Sequence, residues 1–369
     1  MRTQEVDRLS SLYGGFWNHD VLDFCYMTNR YFPPKQFMDD LQARLPELVG
    51  SYPSTNVHLS SLLAEQLGLS QDGLVVGNGA SELINAVLYR HAHRLAVPVP
   101  TFEEFINRAH ILGRQVFPFN ASSRFELDVD AFICHILDRN ADSALLIRPN
   151  NPTGSYLSKG DLIYFLNRMR SLNLVLIDGS FLDFVDAEPD KSALDMLKDY
   201  PNMVVLKSLS KNRGIPGIRL GYAASGDVER VAELRNDLPI WSINSLAQFF
   251  LQAMGKYSEE YEISCEQVTE ATQKLVWELS SVPFLNPFPT QGNFVLCEIL
   301  YGPTGDELAA QLFEDSRILV NNCGSKLGLD DEFIRVACRT DQENRYLIDA
   351  LQRIAQKTEL KNSVALDAR

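Results

Sequence analysis

Lys211 closes the run Ser208-Leu209-Ser210-Lys211, and Arg219 follows eight positions later (219 − 211) in Gly214-Ile215-Pro216-Gly217-Ile218-Arg219-Leu220-Gly221. An amine, two hydroxyls and a guanidinium therefore fall within one short stretch of chain. Those are the groups needed to hold a phosphorylated aldehyde as a Schiff base. A lysine performs this chemistry only if its amine can shed its proton, which requires a polar but partly desolvated setting. A lone SxxK is usually a surface lysine. Here Ser208 and Arg219 flank it at useful spacings, in a Gly/Pro-rich turn that follows a strand-like run.

Four further segments can supply the rest of such a site. Asp178 ends the apolar run Leu174-Val175-Leu176-Ile177, the end of a strand where α/β sheets place their ligands. A buried carboxylate there can pair with a protonated pyridine nitrogen, although alone it would serve equally as a helix N-cap. Gly77-Asn78-Gly79-Ala80-Ser81-Glu82 joins a strand to a helix, so backbone N–H groups around Gly79 and Ala80, with the Ser81 hydroxyl, form an anion site. It matches neither the dinucleotide nor the P-loop fingerprint. Asn151, in Asn150-Asn151-Pro152-Thr153-Gly154, can donate to a phenolic oxygen, though the motif is also a plain turn. Phe102 can stack on an aromatic ring, with Phe105 as its rival. Read together, these groups point to pyridoxal 5′-phosphate (PLP). Arg335 and Arg339, in Phe333-Ile334-Arg335-Val336-Ala337-Cys338-Arg339, would share one face of an alternating strand and both reach a substrate acid. His91 and His93 read as surface residues, and no metal site is expected.

Positioning such groups needs a sheet. Short apolar runs at Leu74–Val76, Leu95–Val97, Val116–Pro118, Ala144–Ile147, Leu174–Ile177, Val204–Leu206 and Leu220–Ala223 alternate with helix-length stretches such as Ser81–His93 and Lys159–Leu172. Several runs are continuous rather than alternating, which suits strands buried on both faces. The expectation is an α/β fold: a three-layer αβα large domain with a mostly parallel mixed sheet, plus a smaller α/β domain. Residues 1–45 form an N-terminal arm and part of the small domain, 46–255 the large PLP-binding domain, and 256–369 the C-terminal small domain. Long helices are expected from Ile243 to Leu279, strands at Phe294–Cys297, Ile318–Val320 and Ile334–Ala337, and a frayed tail from Leu360 to Arg369.

The net charge of −14, with no block of Lys or Arg, argues against nucleic acid or an anionic membrane as partner. Six dispersed cysteines without a CxxC pair argue against a disulfide framework. The polar N-terminus lacks a signal-peptide core and no apolar run approaches a membrane span, so the cytoplasm is the expected location.

With these residues in order, the chain resembles the fold-type I PLP enzymes of aminotransferase class I/II, nearest the branch of histidinol-phosphate aminotransferase and threonine-phosphate decarboxylase. The resemblance runs from Tyr13-Gly14-Gly15 through Tyr52-Pro53 and the motifs above to Ile334-Arg335-Val336-Ala337 and Glu343-Asn344. It implies Lys211 as the Schiff-base lysine, Asp178 on the pyridine nitrogen and Asn151 on the phenolic oxygen. Gly79, Ala80, Ser81, Ser208, Ser210 and Arg219 would hold the phosphate, and Phe102 would cover the ring. Tyr52 would reach a neighbouring subunit's cofactor, implying a homodimer. Arg335, Arg339, Asn321 and Tyr13 would lie on the substrate side.

Three departures from the family pattern stand out. Gly179-Ser180-Phe181 follows Asp178 where Glu-Ala-Tyr or Glu-Ala-Phe is usual, Asn321-Asn322 stands where phosphate-binding relatives carry an arginine, and Tyr13 replaces an early histidine. Losing one arginine clamp removes a contact worth roughly 1.5–3 kcal/mol, which argues against a phosphorylated amino alcohol or threonine phosphate. The leading expectation is transamination between an amino acid and a 2-oxo acid. The alternative is decarboxylation, whose signals are Phe181-Leu182-Asp183-Phe184, Ile215–Tyr222, and Ile240-Trp241-Ser242-Ile243-Asn244 with Ala247-Gln248. A remote alternative is a non-catalytic PLP-binding module, but no basic helix-turn-helix-sized segment precedes Tyr52.

Overall fold

The computed structural model describes residues 8, 9, 12 and 14 to 367, with side chains described as far as 358. Tyr13 lies outside the described residues. Strand β1 (Leu22–Asp23) is followed by seven strands of one sheet: β2 (Leu74–Asn78), β3 (Arg94–Val99), β4 (Gln115–Asn120), β5 (Ser143–Ile147), β6 (Leu174–Asp178), β7 (Met203–Ser208) and β8 (Leu220–Ser225). Their spatial order is β2-β8-β7-β6-β5-β3-β4. Only β8 runs against its neighbours β2 and β7, so the sheet is mixed and mostly parallel, as expected.

The continuous apolar runs have a direct structural meaning. Ala144 and Leu146 of β5, Val175 and Ile177 of β6, and Met203 and Val205 of β7 enter one apolar core. Leu145, Leu174, Leu176, Val204 and Leu206 enter the core on the opposite face. Successive side chains of a strand point to opposite faces, so a strand covered by helices on both sides must be apolar at every position. That is the three-layer arrangement.

A second sheet of four strands, β12 (Asn321–Asn322), β13 (Phe333–Ala337), β10 (Phe294–Ile299) and β9 (Leu285–Pro287), is antiparallel and has its own core. The N-terminal arm reaches this part through parallel pairing of β1 with β11 (Ile318–Leu319), and Phe24 joins the same core. The helix Lys35–Gly50 runs straight through position 45, where a boundary was expected, and Phe37 packs on Phe249, Phe250 and Tyr257.

Three expected boundaries are corrected. The helix after β2 spans Gly79–His91. The helix starting at Lys159 stops at Arg168 rather than Leu172, because the Asn202 amide takes the carbonyls of Met169 and Leu172 and turns the chain into β6. The last helix, Asp341–Asp367, runs through most of the segment expected to fray, since no Gly or Pro interrupts it.

Candidate active site

Strands β2, β3, β5, β6 and β7 point the same way, so their C-terminal ends meet along one edge of the sheet. Each of these ends carries a residue singled out by sequence: Gly79 after β2, Phe102 after β3, Asn151 after β5, Asp178 at the end of β6, and Lys211 just beyond β7. Side chains scattered over 133 positions (211 − 78) are thereby gathered at one edge.

Lys211 lies on a helix of only four residues, Leu209–Asn212, capped by the Ser208 side chain, which accepts from the Ser210 N–H. So short a helix does not hold itself together, and its orientation comes from neighbours. Asn29 of the N-terminal arm donates its N–H to the Lys211 carbonyl at 2.8 Å and its amide to the Asn212 carbonyl at 3.0 Å. The Asn212 amide donates to Asp183, itself paired with Lys207 at 2.7 Å, and to the Tyr261 hydroxyl at 2.8 Å. Asn29, Asp183, Asn212 and Tyr261 were not read as site residues; their partners lie up to 235 positions away and leave no local signal.

Burial pulls the Lys211 amine below its ordinary value of 10.5, and the guanidiniums of Arg335 and Arg219 pull it further, to about 8; Asp178 and Asp23 oppose the fall. The folded protein then binds fewer protons than the unfolded chain between about pH 8 and 10.5, so stability rises with pH across that window and the full penalty applies below it. A displacement of this size costs the cofactor-free fold about 3 kcal/mol at neutral pH. Lys211→Met is therefore expected to make the cofactor-free protein more stable at pH 7 by about that amount, with the advantage vanishing near pH 10.5. Urea unfolding at both pH values checks this; a gap that does not depend on pH would refute it.

Asp178 is buried, and desolvation raises its carboxyl above the usual range while the Ser180 hydroxyl and N–H oppose the rise. The Ser180 hydroxyl donates to Asp178 at 2.5 Å and accepts the Ser208 N–H at 2.9 Å. One serine, at a position noted only as a departure from the family pattern, thus ties the carboxylate to the start of the lysine turn. Ser180→Ala is expected to weaken PLP binding roughly 10-fold by favouring the protonated acid. Equilibrium dialysis checks this, and unchanged affinity would remove Ser180 from the site.

The expected phosphate seat has a definite shape. A Cβ on Gly79, at φ +72, would lie 2.3 Å from Arg219 Nη2, and one on Gly221 would lie 2.7 Å from the Ala80 nitrogen. Only glycine permits this close approach of backbone and guanidinium. The buried Ser210 hydroxyl has no partner among the described residues. An orphan donor, a cramped glycine cradle and an arginine fit a phosphate group, while Ser81 sits exposed on the first turn of the same helix.

Arg335, buried, donates Nη1 to Asn151 Oδ1 at 2.5 Å and Nη2 to the Cys25 carbonyl at 2.7 Å, leaving Nε without a partner. Asn321 stands directly opposite it across β12 and β13 and offers an amide rather than a charge. Arg339 is committed to other partners. Strand β13 ends at Ala337, so the alternation that would align the two arginines stops short. Arg339 instead pairs with Glu343 at 2.7 Å and donates to the Asp23 carbonyl at 2.5 Å. Phe105 is fully buried in the core, whereas Phe102 is 41% exposed and remains available to a ring. Tyr52 is 78% exposed and packs on Trp241, with ring centroids 4.6 Å apart.

The family described as aminotransferase class I and II matches residues 19–351. The chain belongs to this family. Its cofactor is PLP, which supplies a carbonyl for the lysine amine and an electron sink for the substrate's α-carbon. This aminotransferase-family chain is 34% identical to a CMP-5′-(3-aminopropyl)phosphonate synthase of Streptomyces rubellomurinus, over 94% of the chain but 55% of that protein, so it spans about half that relative's length. It is 28% identical to an L-serine phosphate decarboxylase of Campylobacter jejuni, covering 89% of this chain and 87% of the other. The histidinol-phosphate aminotransferase structure of Clostridium acetobutylicum superposes with a TM-score of 0.84 at 27% identity, covering 91% of this chain and all (100%) of that one. Among the described residues no helix is long and apolar enough to cross a membrane.

Proposed function

We propose that this protein decarboxylates an α-amino acid that carries a second acidic group, releasing a primary amine. This reverses the order of the expectations drawn from sequence, which put transamination first. The observation that carries it is the likeness, along nearly the whole chain, to a serine phosphate decarboxylase. Residues of the decarboxylase-like segments also surround the lysine turn. Asp183 holds Asn212, and Asn244 donates to the Ile218 carbonyl at 2.9 Å, next to Arg219.

On this reading Lys211 binds the cofactor carbonyl, and its amine, once released and protonated below about pH 8, delivers a proton to the α-carbon after the carboxylate has left and is itself left neutral. Asp178 keeps the ring nitrogen protonated. Ser208, Ser210, Arg219 and the Gly79 cradle grip the phosphate, and Arg335 supplies one fixed anion seat.

Transamination is the second reading, favoured by the Arg335–Asn151 bond. A substrate α-carboxylate on Arg335 would lie beside the amide assigned to the cofactor's phenolic edge, leaving the Cα–H bond to Lys211. Tyr52 and Trp241, exposed and packed ring against ring, support a homodimer in which Tyr52 completes the neighbouring site.

The test is a half-reaction with no 2-oxo acid present. PLP-loaded protein is mixed with single amino acids and their phosphate esters, and the coenzyme spectrum and released CO₂ are followed together. CO₂ with the lysine-linked cofactor restored supports decarboxylation. Conversion to the pyridoxamine form without CO₂ overturns it in favour of transamination.

A further inference from the structure

The loop after β12 crosses from the small sheet to the mouth of the site. The Gly324 N–H donates to Asn322 Oδ1 at 2.8 Å, and the Asn322 amide donates to Asp331 at 2.8 Å, so the loop's base is fixed. Lys326 N–H closes a turn on the Cys323 carbonyl at 2.9 Å. Gly328, at φ +89, lies flat on the turn after β3, where an added Cβ would be 3.2 Å from the Pro100 nitrogen. The Pro100 carbonyl is in turn held by the Asn150 amide at 2.9 Å, one residue from the Asn151 that grips Arg335.

At this junction Lys326 Nζ pairs with Glu103 Oε2 at 3.0 Å, and the two side chains are 16% and 34% exposed. Glu103 directly follows Phe102, the residue left to cover the ring. Lys207–Asp183 is similarly placed, at 14% and 25% exposed, but its carboxylate also holds the Asn212 amide of the lysine turn. A half-open ion pair contributes little to the fold and can be exchanged for another at small cost. A buried one cannot.

We propose that Lys326 is a second anion seat of the active site, and that Glu103 occupies it until an acidic group of the substrate displaces it. This rests on the proposed reading of the site as one acting on an amino acid. Arg335 takes one acid and Lys326 the other, so the site selects substrates with two acidic groups, carboxylate or phosphate, over neutral ones. Asn321 lacks the charge for that task, and Lys326 supplies it from five positions further along (326 − 321). Glu103 then sets a threshold, because a neutral side chain cannot replace it on Lys326.

The experiment titrates PLP-loaded wild type, Lys326→Gln, Lys326→Met and Glu103→Gln with O-phospho-L-serine, L-glutamate and L-alanine, reading the rapid shift of the cofactor spectrum. The quantity compared is the ratio of acidic to neutral affinity. Both lysine variants are expected to lower that ratio about 10–100-fold, and Glu103→Gln to raise it several-fold. Inorganic phosphate should compete with O-phospho-L-serine in wild type and lose that effect in Lys326→Gln. A larger effect on O-phospho-L-serine than on L-glutamate supports a phosphate as the displacing acid, and the reverse a carboxylate. A ratio unmoved in every variant overturns the second seat and leaves Lys326–Glu103 as a structural bridge. If no amino acid perturbs the cofactor in wild type, the reading of the site falls and the seat with it.

Discussion

Lys211→Ala is expected to lower turnover by roughly 10⁴-fold or more while the protein still binds PLP. The two effects separate because the structure separates the groups responsible. The proposed phosphate seat, made by the Gly79 cradle, Ser208, the orphan Ser210 hydroxyl and Arg219, would not include the lysine amine. On the proposed reading the amine would supply the covalent link and the mobile proton, and no other described residue stands ready to replace it. Lys207, four positions earlier (211 − 207), is locked to Asp183 at 2.7 Å, and that carboxylate holds it protonated. The variant should therefore retain PLP on dialysis, lack the visible absorption of lysine-linked cofactor, and release all of its PLP when denatured after borohydride treatment. Retained turnover would sink the assignment of Lys211. Loss of PLP binding would instead place the phosphate seat wrongly.

What was legible in the sequence was local. Strand-end motifs announce themselves because an apolar run must stop where a ligand edge begins, so Asp178, Asn151, Gly79 and Lys211 could be picked out one by one, and the sheet then gathers them. The doubly buried strands were legible for the same reason, since every position of β6 has to be apolar until Asp178. What escaped was pairing at a distance. Nothing in the arm announces that Asn29 will take the Lys211 carbonyl, or that Lys326 will reach Glu103 across 223 positions. The periodicity argument failed where its premise failed. Arg339 shares the parity of Arg335, but parity carries meaning only inside a strand, and β13 has ended by then. Ser180 was visible only as a departure; its meaning needed the Ser208 N–H, 28 residues away, to be brought beside Asp178.

Arg335→Leu is expected to reduce kcat/KM for an acidic substrate by about 10²–10³-fold, with PLP affinity much less affected. The substitution removes the charge-assisted grip on one acid, worth roughly 1.5–3 kcal/mol. It also strands Asn151 Oδ1 and the Cys25 carbonyl, two acceptors that the guanidinium satisfies at 2.5 and 2.7 Å. Asn151 would then be free to turn, so the loss should appear in kcat as well as KM, which a merely distant anion seat would not produce. Arg335→Lys tests this coupling. A single ammonium can meet the substrate acid or the two acceptors but lacks the planar fork that spans both. It should recover KM in part and kcat less. Steady-state kinetics on both variants decide the matter. If Arg335→Lys restores kcat fully, the guanidinium is only a charge, and the bond to Asn151 plays no part in placing the substrate.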